Sequence, residues 1–306
     1  MEERIEHFYK WIIKILKETP NYLYFQHNHC DYLFCKINRK SNDLELLLEV
    51  INECIKKRAE TFRPIKNIYG LFFSTIGQDN YILLECNNVK KEYTILDMIK
   101  WQNNMLIKKN LSALNRSNWV YLWSQKIDYL EYQIHELGKK YPTIVNSFSY
   151  YDGLAENAIS YAYQAQKYRS NDKLVLSHQR VHYPNISAEF DNPLNYVIDI
   201  KVRDIGEYIK NLALDNIEYA LIDLKAAIEI EKYDIYHLSM LYARLLYPSY
   251  YFDIEERIIN DSEKEETILS IIEKNEQYEI FLKKAWNLLR NYAPIEQISW
   301  ITKKEL

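Results

Sequence analysis

The sequence predicts an α+β chain in which a small sheet-and-helix part precedes a larger, mainly helical part. The prediction rests on a change of period. Over the first 90 residues apolar side chains come in short runs, whereas from about Thr94 they recur at helical spacing. One compact stretch without helical period, Leu174 to Asp199, interrupts the second part. With 306 residues, 48% of them hydrophobic, the chain is long enough to bury a large core.

The first part, residues 1–90, divides as follows. Phe8, Ile12, Ile15 and Leu16 predict an amphipathic helix from Glu6 to Glu18, ended near Pro20. Tyr22 to Phe25 and Tyr32 to Ile37 predict two strands flanking a polar hairpin segment, Gln26 to Asp31. Leu44, Leu47, Leu48, Ile51 and Ile55 share one face of a helix over Asp43 to Arg58, with Ser41 or Asn42 able to cap its start. Leu71 to Phe73 and Tyr81 to Leu84 predict two further strands joined near Gly77 to Asn80, giving a small mixed sheet.

The second part, residues 91–306, predicts long helices over Trp119 to Leu137 and Gly153 to Tyr168. After the non-helical stretch come helices over Val202 to Leu214, Ile217 to Glu231, Tyr233 to Leu246, Ser262 to Lys274 and Tyr278 to Asn291. Pro248 ends one of them, and the aromatic run Tyr250-Tyr251-Phe252-Asp253 reads as a turn packing back on it. Between the two parts a cleft is the expected ligand site.

Composition removes several function classes. Lys and Arg total 39 against 43 Asp and Glu, a formal charge of -4 without a long basic run, which disfavours a nucleic-acid partner. Lys10, Lys14 and Lys17 break the first apolar stretch, so neither a secretory signal nor a spanning segment is expected, and a cytoplasmic location is. Cys30, Cys35, Cys54 and Cys86 are too sparse for a disulfide scaffold. His27, His29, Cys30 and Cys35 are zinc-type ligands close together, but their spacing matches no strong zinc pattern and a polar hairpin tip accounts for them. Only five glycines occur, few for a chain that must wrap backbone around phosphates. The 28 tyrosines suit half-buried or contact positions, although a biased genome would also supply them.

The segment His178-Gln179-Arg180-Val181-His182-Tyr183-Pro184-Asn185, followed by the apolar Tyr196-Val197-Ile198-Asp199, carries the chemistry. It resembles the aminoglycoside/choline phosphotransferase group of the protein-kinase-like fold, whose loop reads His-Gly-Asp-x-His-x-x-Asn before a strand ending in Ile-Asp. The likeness covers nearly the whole chain. It implies a two-lobed kinase-like architecture, metal ligands at Asn185 and Asp199, a phosphate-contacting lysine at Lys36 paired with Glu49, and a supporting aspartate at Asp204 that steadies the loop through His178 or through backbone N–H groups. Together with Asn192 to Asn195 and the aromatic run near Pro248, the segment is similar to the kinase-like proteins associated with bacterial spore coats.

Two departures matter. Gln179 replaces the glycine and Arg180 the catalytic aspartate. A guanidinium has no acceptor and keeps its proton, so Arg180 cannot serve as a base. It can face structure or an anion, pair with Asp199 and close the metal site, or act in an unusual catalytic way. Residues 26–31, at the phosphate-loop position, contain no glycine. The reading that follows is a catalytically inactive kinase-like protein working as a structural or protein-interaction module in spore coat assembly, with a protein partner. The alternative is an ATP- and magnesium-dependent phosphotransferase acting on a small hydroxylated or amino-bearing metabolite, since positioning supplies much of phosphoryl-transfer catalysis.

Overall fold

The computed structural model describes residues 1–19, 22–39, 41–57, 61–86, 93–105, 112–169, 173–181 and 190–303. They form two compact units. The first holds the chain through Tyr93 with the described residues of 108–114 and 184–197, and the second holds the remainder.

In the first unit, helix α1 (Glu2–Tyr9) stops where Lys10 turns left-handed, at φ 58°, and returns its N–H to Glu6 O. The helix expected over residues 6–18 is therefore cut short, and Ile15–Glu18 forms strand β1 instead. Exposure gives the reason: Ile12 and Leu16, on the supposed apolar face, are 88% and 54% exposed, while Ile13 is buried. Strand β1 pairs with β2 (Tyr22–His27), and β2 with β3 (Cys30–Lys36). The β2–β3 connection is a two-residue turn at Asn28 and His29, both at positive φ as a tight hairpin requires.

Helix α2 (Ser41–Lys56) follows, then β4 (Arg63–Ile65), β5 (Phe73–Ile76) and β6 (Asp79–Cys86). The sheet order is β1-β2-β3-β6-β4, with β5 also along β6. Every pairing in it is antiparallel, not mixed as the sequence suggested. Short hairpins at β1–β2, β2–β3 and β5–β6 can only join antiparallel neighbours. Strand alternation splits the core between the two faces. Leu33, Cys35 and Ile37 pack with Leu44 of α2, whereas Tyr32 and Phe34 pack with Ile5 and Tyr9 of α1.

The second unit opens with α3 (Ile95–Asn104), started by a capping box in which Thr94 and Asp97 exchange hydrogen bonds. Helix α4 (Trp119–Leu137) has the expected limits, and α5 (Pro142–Ala165) begins at Pro142 rather than Gly153, with proline in the first turn where its missing N–H is harmless. Strands β7 (Val175–His178) and β8 (Tyr196–Asp199) form a two-stranded sheet. Helices α6 (Arg203–Ala213), α7 (Ile217–Glu231) and α8 (Ile235–Leu246) follow. Pro248 does end α8, but the aromatic run after it is helical: α9 spans Ser249–Ile259 with Pro248 as its cap residue. The single helix expected over 262–274 is a 3-10 turn at Glu265–Ile268 and one short helix, α10 (Leu269–Ile272), before α11 (Asn275–Leu289).

Many tyrosines serve this core rather than a surface. Tyr151, Tyr251 and Tyr278 are fully buried, and their hydroxyls are matched by Asn275 Oδ1 at 2.6 Å, Ser147 Oγ at 2.8 Å and Leu245 O at 2.7 Å. Glu255 of α9 is a different case. It is 0% exposed, and neither carboxylate oxygen has a hydrogen-bond partner. Burial pushes its carboxyl up to about 8; the charges acting on it, Lys126 and Glu256, are paired with each other. Folding therefore favours the protonated acid. The penalty for ionising it is absent below the unfolded value near 4.5, grows as pH rises, and levels off above about 8. The unfolding free energy of the wild type, measured in urea, should fall between pH 5 and pH 8, by about a few kcal/mol at most, and Glu255→Gln should flatten that slope. A slope identical in both proteins would show that Glu255 ionises freely in the folded state.

Candidate functional site

The site is assembled in the second unit from the end of β7, the end of β8 and the first turn of α6. His178 closes β7 and is fully buried beside the Trp101 ring, with centroids 4.9 Å apart. Asp204, in the first turn of α6 where the helix dipole favours negative charge, accepts from His178 N at 2.9 Å and Gln102 Nε2 at 3.2 Å. Its Oδ2 also lies 2.8 Å from His178 Nδ1, which places the ring proton on Nδ1. Asp204 thus fixes both the backbone and the tautomer of the loop's first residue.

Arg180, which the motif resemblance aligns with the catalytic aspartate, has its guanidinium engaged. Nε and Nη2 donate to Asp253 Oδ2 and Oδ1 at 2.5 and 2.6 Å, a two-pronged pair with a carboxylate of α9, and Nη1 donates to Gln179 O at 2.9 Å. Burial works against this charge, but the Asp253 carboxylate outweighs it and holds the guanidinium above its ordinary value. The alternative pairing of Arg180 with Asp199 is not the one found.

Asp199 is 0% exposed and has other partners. Trp119 Nε1 donates to both of its oxygens, at 2.9 and 3.0 Å, Ile200 N donates to Oδ1 at 2.6 Å, and Arg203 Nη1 donates to Oδ2. Burial raises the Asp199 carboxyl, opposed by Arg203 and Trp119. The magnesium implied by the fold does not fit these residues. A hard divalent cation needs carboxylate lone pairs facing it, and here they are occupied by N–H donors beside a fixed positive charge. Asn185 and His182 lie outside the described residues. Among the described residues no three His, Cys, Asp or Glu side chains gather to hold a metal.

Behind these residues lies a buried charge cluster. Glu207 Oε1 accepts from Lys210 Nζ and Arg244 Nε, each at 2.8 Å, and Lys210 also donates to Tyr247 O at 2.9 Å and Ser249 Oγ at 2.8 Å. Burial lowers Lys210 to about 8 despite Glu207. The Arg244 guanidinium sits 5.0 Å from the centroid of the Trp119 ring whose indole N–H holds Asp199. Gly206 lets this happen: a Cβ there would lie 2.7 Å from Arg244 Cγ.

In the first unit, Lys36 pairs with Asp79 at 2.7 Å, not with Glu49. Parity explains the correction. Lys36 follows Tyr32 and Phe34 on the α1 face of the sheet, while Glu49 belongs to α2, which covers the opposite face. Residues 26–31 form the tight hairpin itself, tied by Tyr24 Oη and Gln26 Nε2 donating to Asp31, with His27 stacked on Trp11 at 4.5 Å. Cys35 is buried with its thiol pushed up to about 12 by desolvation, the state of a packing residue.

Sequence reading missed Asp253, Trp119 and Arg203. The Asp199-to-Arg203 spacing of four was a usable signal, whereas nothing local marked Trp119 or linked Asp253 to Arg180. If the Arg180–Asp253 pair is structural, Asp253→Met should cost about 1–3 kcal/mol and the Arg180→Met, Asp253→Met double variant less than the sum of its two singles. Strict additivity in urea unfolding would deny the pair any coupling.

A family model described as spore coat putative kinase YutH matches residues 2–285. The endospore coat-associated protein YutH of Bacillus subtilis (strain 168) is 30% identical over 210 residues, a stretch covering 60% of this chain and 61% of that protein. Among solved structures, an aminoglycoside phosphotransferase from Alicyclobacillus acidocaldarius superposes with a TM-score of 0.61 at 8% identity, covering 95% of this chain and 97% of that one. A spectinomycin phosphotransferase in complex with ADP and spectinomycin gives 0.55 at 13% identity, covering 94% and 97%. These likenesses establish the protein-kinase-like fold.

Proposed function

Because the chain belongs to the spore coat putative kinase YutH family, we propose that it is a catalytically inactive kinase-like protein that acts as a structural and protein-binding module in assembly of the spore coat. One observation carries the inactive part: the position of the catalytic acid holds Arg180, locked on Asp253. The guanidinium has no lone pair with which to take a proton from an attacking hydroxyl, and both Asp253 oxygens already accept from it. The sealed Asp199 and the hairpin geometry of residues 26–31 support the same reading.

Binding of protein partners is supported by the coat association in the name of the Bacillus subtilis relative and by exposed aromatics. Tyr121, Tyr129 and Tyr132 lie on one outward face of α4, the residue type enriched at protein interfaces. No helix among the described residues is long and apolar enough to cross a membrane. We place the protein in the cytoplasm, at the forming coat.

Calorimetry with ATP, with and without magnesium, tests the reading. Weak or absent heat is expected in both conditions. Tight magnesium-dependent binding, or transfer of the terminal phosphate that Asp199→Asn abolishes, would instead make the protein a phosphotransferase for a small hydroxylated or amino-bearing metabolite.

A further inference from the structure

Arg203 opens α6, a place where the positive end of the helix dipole works against a cation. Its presence there, at 6% exposure, is explained by what it binds. Nε donates to His178 O at 2.6 Å, Nη2 to Gln179 O at 3.0 Å, and Nη1 to Asp199 Oδ2. Two loop carbonyls and a carboxylate, brought from the ends of β7 and β8, converge on one planar cation. An all-oxygen set of this kind is what a hard divalent ion takes, and here a guanidinium fork satisfies it. Trp119 Nε1 and Ile200 N occupy the remaining faces of the carboxylate.

We infer that Arg203 is the resident cation of this site, joining Asp199 permanently to the loop after β7 so that the unit's folded state is independent of divalent metal. The inference deepens the inactive reading and rests on it only for taking Asp199 as the metal position of the fold. Removing the guanidinium takes from the buried Asp199 carboxylate its only cationic donor among the described residues and from His178 O its 2.6 Å donor, whereas removing both charges at least spares the interior an uncompensated carboxylate.

The test is thermal unfolding of the full chain in EDTA and in millimolar magnesium chloride. The wild-type midpoint should be the same in both. Arg203→Met should lower it by roughly 10 °C, Arg203→Lys should lose less because it keeps the charge without the fork, and the Asp199→Asn, Arg203→Met double variant should regain part of the loss. A wild-type midpoint raised by magnesium, with the rise abolished in Asp199→Asn, would overturn the inference. So would Arg203→Met as stable as the wild type, or losses that simply add in the double variant. Should Arg203→Met yield no folded protein, Arg203→Lys and Asp199→Asn decide the matter, since both must fall below the wild type and remain insensitive to EDTA. Magnesium-dependent ATP binding by a protein whose midpoint ignores EDTA would sink the inactive reading and leave this one standing.

Discussion

A carboxylate withdrawn completely from water has to be matched by the protein around it, and Asp199 imposes that demand on the second unit. Its donors come from the start of α4, from the residue following β8 and from the first turn of α6, so satisfying one side chain fixes three segments. The His178–Asp204 contact adds the end of β7 to the same junction, with Gln102 of α3 as a further anchor. Desolvating such a group is recovered only when most of its lone pairs are met, which explains why so many donors converge here.

The cluster around Glu207 extends the same logic outward. Lys210 and Arg244 crowd one carboxylate, and burial makes both cations harder to keep charged. Arg244 links this cluster to Asp199 through the Trp119 ring, so the two buried carboxylates share a scaffold of α4, α6 and α8. Polar networks of this density specify one arrangement, because every alternative strands a charge in a low-dielectric interior.

The architecture was legible because it depends on period: the switch near residue 90, the hairpin pattern and the helix faces all follow from apolar spacing. Element ends were less so. Ile12 and Leu16 mimic a helix face yet lie in solvent, and the aromatic run after Pro248 reads as a turn although proline is at home at a helix start. Motif spacing brought His178, Asp199 and Asp204 into one account. What it could not supply was the identity of partners. Lys36 was matched to a carboxylate on the wrong face of the sheet, and among the three readings left open for Arg180 none named Asp253, 73 residues away in sequence. Pairings between distant segments are set by tertiary packing, which spacing does not encode.

The Arg180–Asp253 pair also bears on how such a chain can change over time. Arg180→Asp would set two carboxylates against each other at part-buried positions, and a substitution that removed Asp253 first would leave a guanidinium without its carboxylate partner. Arg203 and Asp199 repeat the pattern at a second locus. Each single charge change at these two loci therefore passes through a less stable protein, and paired substitutions avoid it. The ion pairs tie the loop positions to their partners, so that a change at one locus is tolerated only together with a change at the other.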